Sequence, residues 1–131
     1  MAKKQRRSPF DHTQGLGSAR EGVGHWWIQR LTAVALVPLT LWFTASLIAR
    51  AGDDYNAFIL WLRAPFTVVL MVLLLVALFY HMALGLRVVV EDYVHTNGVK
   101  LAAIVLIYFG CFTLAVAGII ASLSVGFDGR L

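Results

Sequence analysis

Three stretches without a single Asp, Glu, Lys or Arg set the terms for everything else in this chain. They run from Leu31 to Ala49, from Ala64 to Leu86 and from Leu101 to Phe127, nineteen, twenty-three and twenty-seven residues in turn. About 20 apolar residues in helical form cross the hydrocarbon of a bilayer, so each stretch predicts one transmembrane helix. Trp26 and Trp27 precede the first span, where aromatic rings settle at a membrane interface. Pro38 is expected to kink that span. Pro65 opens the second, at the position where a missing amide hydrogen does least harm. Gly110 and Gly118 in the third allow close helix approach. Of the 131 residues, 60% are hydrophobic and 14% charged, which places the chain in the membrane class as one all-α domain.

The segments between the spans are short. Arg50 to Arg63 reads as a connection with Asp53 and Asp54 at its turn and Tyr55 and Trp61 as interfacial aromatics, and Arg87 to Lys100 reads as the other connection. The expected division is a basic, partly mobile segment, 1–24, followed by a three-helix anchor domain, 25–131, with spans at about 26–49, 64–90 and 101–126. Lys3, Lys4, Arg6 and Arg7 crowd the start, and the net charge is +4. On so apolar a chain, a basic tail marks the cytoplasmic side or contact with anionic lipid, not nucleic acid. Polar and glycine-containing residues follow it where a cleavable signal would have a short apolar core, so the first span is expected to stay in the mature protein. Cys111 is the single cysteine. It can form neither a disulfide nor a cysteine metal site within the chain, and reads as a small buried hydrophobe.

Among Asp, Glu, Lys, Arg and His side chains, only His81 lies well inside a span. An ionisable group there is a functional hypothesis by default. Two readings stand. Neutral imidazole is an axial ligand to haem iron, and it is also a side chain that hydrogen-bonds a neighbouring helix. Gly85, four residues on and on the same helix face, leaves room for a flat macrocycle beside the imidazole. His12, His25 and His95 fall at or beyond span ends, so a second axial histidine is expected from another chain.

The stretch His81-Met-Ala-Leu-Gly-Leu-Arg-Val-Val-Val-Glu-Asp-Tyr-Val-His95 resembles the hydrophobic membrane-anchor subunits of succinate dehydrogenase, in which a helix-II histidine is followed by glycine and then Asp-Tyr. The likeness extends more weakly to the Gly15 to Gly24 lead-in, to Arg30 and to the three-span layout. It implies that His81 ligates haem b, with the second ligand on a companion cytochrome b anchor subunit in a shared helical bundle. It further implies that the Tyr93 hydroxyl bonds a carbonyl oxygen of ubiquinone and that Asp92 is its acidic neighbour. The flavoprotein and iron–sulfur subunits are the other implied partners, and succinate oxidation takes place on them rather than on this chain. Tyr93 is twelve residues past His81, about 18 Å along a continuous helix, so one helix can reach both a mid-membrane haem and an interfacial quinone.

Other residues take plainer roles. Arg30 either snorkels to headgroups or pairs with a haem propionate. Asp92 and Glu91 read by default as solvated loop acids, and the resemblance implies that Asp92 orients basic groups around the quinone or helps protons reach it; Arg87 counts only as a cytoplasmic charge. A fumarate reductase anchor shares the layout and runs the quinone chemistry in reverse. A small multidrug-type transporter would be expected to carry a membrane-embedded carboxylate, whereas all seven acids here lie outside the spans. A purely structural anchor without haem is the third alternative.

Orientation follows from the basic residues. With the N-terminus cytoplasmic, Lys3, Lys4, Arg6, Arg7, Arg20, Arg30, Arg87 and Lys100 lie inside, against Arg50, Arg63 and Arg130 outside. In a bacterial inner membrane this makes the C-terminus periplasmic. Alkaline phosphatase fused after Leu131 is therefore expected to be active, and the same reporter placed between Asn97 and Gly98 inactive; the reverse pattern would invert the topology.

Overall fold

The structure, a computed structural model, describes residues 9–128, with side chains from Gly22 onward. The basic start, Met1 to Ser8, lies outside the described residues. Four helices follow one another: α1 (Pro9–Ala49), α2 (Tyr55–Arg63), α3 (Pro65–Tyr93) and α4 (Asn97–Phe127). Among the described residues three helical segments are long and apolar enough to cross a bilayer, Gly22–Ala49, Pro65–Tyr93 and Asn97–Phe127. The chain is thus an all-α, multi-pass membrane protein, as its charge-free stretches predict. It divides between Leu31 and Thr32 into two compact units.

In the first unit the described chain is helical from Pro9, well before the first charge-free stretch. Polar residues do not end a helix by themselves; they only end its apolar part. Trp26 and Trp27 meet edge to face at 5.1 Å, and the Arg30 guanidinium lies 5.0 Å from the Trp26 ring centroid. This is the geometry of a cation–π contact.

The second unit is organised around α3 and α4, the pair of helices in broadest contact. Lipid tails are as apolar as leucine, so helices gain association here from close packing rather than from escape from water. Glycine supplies the closeness. A β-carbon on Gly118 would sit 3.2 Å from both Leu75 methyl groups, and one on Gly126 only 2.7 Å from a Val68 methyl group. Gly110, also expected at a close approach, faces open space. Thr67, Leu74, Ala77, Ala83, Leu84, Cys111 and Gly126 are the buried residues of this pair, with Cys111 the small interior hydrophobe the sequence predicts. Phe66, Leu106, Phe109 and most other large apolar side chains remain outside, as suits a chain surrounded by lipid.

The first connection contains a helix that the charge pattern hides. Asp54 caps α2, its Oδ1 accepting from the Ala57 amide at 3.0 Å. Ala64 then adopts an extended conformation (φ −63°, ψ 129°) and separates α2 from α3. Proline disfavours a helical conformation in the residue before it, so Pro65 both closes α2 and starts α3. Trp61, buried, gathers its neighbours: Phe58 at 5.4 Å, Trp42 of α1 at 6.2 Å and the Arg50 guanidinium at 4.9 Å. Arg63 pairs with Asp128 at 3.1 Å and ties the end of α2 to the end of α4.

The second connection is shorter than the charges imply. Helix α3 runs on through Arg87, Glu91 and Asp92 to Tyr93, leaving only Val94, His95 and Thr96 before α4. Arg87 and Glu91 pair at 2.7 Å across one turn, which supports this polar end of the helix. Lys100 Nζ donates to the Glu91 carbonyl at 3.3 Å and links the two helix ends. From Thr32 onward, α1 brings no Cα within 8 Å of the other helices among the described residues. Side chains make its contacts.

Gly126→Ala is expected to destabilise the fold by about 1–3 kcal/mol through overpacking against stiff, β-branched Val68. Gly118→Ala should cost less, because the Leu75 side chain it meets can turn away. Thermal unfolding in detergent checks this order, and Val68→Ala should restore Gly126→Ala.

Candidate haem-ligand site

His81 occupies the middle of α3, half-buried and turned toward α1. Its Nδ1 lies 3.0 Å from the Thr32 hydroxyl oxygen, a contact between residues forty-nine positions apart. The other ring nitrogen, Nε2, carries no hydrogen bond among the described residues. One turn on, a β-carbon at Gly85 would meet nothing within 4 Å. The imidazole is therefore held through one nitrogen beside an unfilled stretch of helix surface, the setting a planar macrocycle needs.

Among the described residues no group of three or more His, Cys, Asp and Glu side chains is placed to hold a metal ion. One imidazole with a free nitrogen fits a group whose other axial ligand comes from elsewhere. Among the described residues it is not part of a metal site completed within the chain. The structure shows the bond to a neighbouring helix at Nδ1; Nε2, the atom that the ligand reading needs, carries no hydrogen bond among the described residues.

The other candidate residues spread along the polar end of α3. Asp92 is three turns past His81 on the same face, at 3.6 residues per turn. Tyr93 is the last residue of the helix, about a third of a turn further round, and is 79% exposed. Because α3 is unbroken from Pro65 to Tyr93, the condition for the 18 Å separation of His81 and Tyr93 is met. Arg30, in the first unit, stacks on Trp26. Glu91, read from the sequence as a solvated acid, pairs with Arg87, which thereby gains a structural role.

Thr32 escapes a reading based on charge. A hydroxyl at the start of an apolar span is ordinary, and its pairing with His81 needs the helices side by side. One signal was available. Successive spans run in opposite directions, so the start of the first and the end of the second share the same membrane depth.

An apolar cleft of about 330 Å³ opens between α3 and α4, lined by Phe79, Tyr80, Ala83, Tyr108, Cys111 and Phe112. His81 does not reach it.

These features define a class: a small three-span membrane protein with one intramembrane histidine and an Asp-Tyr pair at the end of the same helix. The sequence profile described as succinate dehydrogenase/fumarate reductase transmembrane subunit matches residues 4–116, and the chain belongs to that family. Similar proteins include the succinate dehydrogenase hydrophobic membrane anchor subunit of Rickettsia conorii, 34% identical over 80% of this chain and 84% of its own length. The subunit of the same name from Rickettsia bellii is 31% identical over 88% of this chain and 92% of its own length. That from Paracoccus denitrificans is 30% identical, with 84% and 85% covered. Family membership sets the multidrug-transporter alternative aside.

Proposed function

We propose that this chain is the succinate dehydrogenase anchor subunit that supplies one axial ligand of haem b and lends Tyr93 and Asp92 to the ubiquinone-reduction site. Its partners are a companion cytochrome b anchor subunit, which brings the second ligand, and the iron–sulfur and flavoprotein subunits, which it holds at the membrane. The observation that carries the reading is His81: an imidazole inside a span, bonded at Nδ1, unbonded at Nε2 and bordered by the open surface at Gly85.

Bound haem b would supply a one-electron carrier within the membrane. The chain's own residues position and hydrogen-bond. Tyr93 donates its hydroxyl to a ubiquinone carbonyl oxygen, and its exposure at the end of α3 leaves it accessible to such a ligand. Asp92, exposed on the neighbouring position, orients basic groups around the quinone or helps protons reach it once reduced. Two electrons from the iron–sulfur chain and two protons from the cytoplasmic side convert ubiquinone to ubiquinol. Arg30, its guanidinium steadied by Trp26, is the candidate for a haem propionate.

The complex sits in a bacterial inner membrane with the N-terminus of this chain cytoplasmic. Segment 1–24 serves contact with acidic lipid or the soluble subunits, and 25–131 forms the anchor. The family description also covers fumarate reductase, in which the same site would oxidise quinol.

The reduced-minus-oxidised optical spectrum of the purified complex should show a b-type signal that His81→Ala removes or strongly diminishes; absence of the signal in the wild type would sink the haem assignment. Tyr93→Phe should lower succinate:quinone activity roughly 2- to 10-fold, the range spanned by one net hydrogen bond of about 0.5–1.5 kcal/mol. Succinate oxidation by an artificial acceptor should be unchanged, and equal loss of both activities would count against the quinone role.

A further inference from the structure

The pairing of Thr32 with His81 has a direction. A histidine that gives iron the lone pair of Nε2 must carry its proton on Nδ1, and Nδ1 is the atom 3.0 Å from Thr32 Oγ1. A threonine oxygen has two lone pairs, so it can accept from Nδ1–H wherever its own hydroxyl proton points. We infer that Thr32 is a positioning residue for haem ligation: its Oγ1 accepts the Nδ1–H of His81, holds the imidazole in the tautomer that presents Nε2, and sets the rotation of the ring.

This rests on the reading of His81 as a haem ligand and adds to it a partner from another helix. Two physical consequences follow from the geometry. The first is orientational: the Nδ1 bond restrains rotation of the ring about its bond to the helix. The second is electronic: an acceptor on Nδ1–H makes the imidazole more basic and strengthens its donation to the iron, which favours the ferric state. α1 brings no backbone close to α3 from Thr32 onward, so the two helices meet in this unit through side chains, this bond among them. The ring thus depends on α1 as well as on α3 for its placement.

Thr32→Val keeps the shape of the side chain and removes the acceptor; Thr32→Ser keeps the acceptor. Both are to be made in the assembled complex, with haem content read from the pyridine haemochrome, the midpoint potential by titration and the ferric low-spin g values by electron paramagnetic resonance. In Thr32→Val the midpoint is expected to rise by up to about 59 mV, a tenfold change in a one-electron equilibrium. The g values should move with it, while Thr32→Ser stays at wild-type values for both. A Thr32→Val complex with full haem and unchanged potential and g values overturns the inference while leaving the ligand role of His81 intact.

If Thr32→Val does not assemble, Thr32→Ala, which introduces no clash, takes its place under the same readouts. Loss of haem in both apolar variants with retention in Thr32→Ser supports the inference. Loss in all three, serine included, overturns it, because the side chain's shape would then matter rather than its oxygen. A wild-type complex without a b-type spectrum removes the underlying ligand assignment, and this inference with it.

Discussion

Hydrocarbon offers no water to a backbone N–H or C=O, and each one left unpaired costs several kcal/mol. This requirement shapes the chain. The three spanning segments meet it with long helices, and the interruptions in the helical chain occur over Arg50 to Asp54, at Ala64, ahead of Pro65, and over Val94 to Thr96. Hydroxyls within the spans follow the same rule: Thr40 donates to the Leu36 carbonyl at 2.6 Å and Thr113 to the Phe109 carbonyl at 2.8 Å. Against that background a bond between helices, Thr32 to His81, stands out as one that secondary structure alone would not produce.

Packing within the second unit follows from the lack of a hydrophobic driving force between helices in lipid. α3 and α4 approach where Gly118 and Gly126 admit Leu75 and Val68. Charges tie the ends instead: Arg63 with Asp128 at one end, and Arg87 with Glu91, joined by Lys100, at the other. Such exposed pairs contribute little stability individually. They do define where each helix stops being apolar.

The large outward apolar surface accords with a subunit's role. Residues such as Phe66, Leu106 and Phe109 are more than two-thirds exposed, which water would not tolerate and lipid or a companion helix does. On the haem reading proposed above, His81, with no hydrogen bond at Nε2 among the described residues, is likewise half of an axial ligand pair. In both respects the chain is built to be completed by others, and its membership of the transmembrane-subunit family is consistent with that.

The spans were legible in the sequence because charge is costly in hydrocarbon, so the absence of charge over nineteen or more residues is a direct physical mark. The placement of His81, Gly85, Asp92 and Tyr93 along one helix was legible for a related reason: a helix converts spacing into depth and face without help from the rest of the fold. Helix ends were not, since an apolar run ends where the membrane does and a helix ends where its backbone bonds do; α2 and the polar end of α3 were hidden by this difference. Only the tertiary structure decided which glycines meet a neighbour, with Gly126 tight and Gly110 open, and that Thr32 reaches the Nδ1 of His81. Contacts between residues far apart in sequence depend on how helices pack side by side, and no periodicity within either helix carries that information.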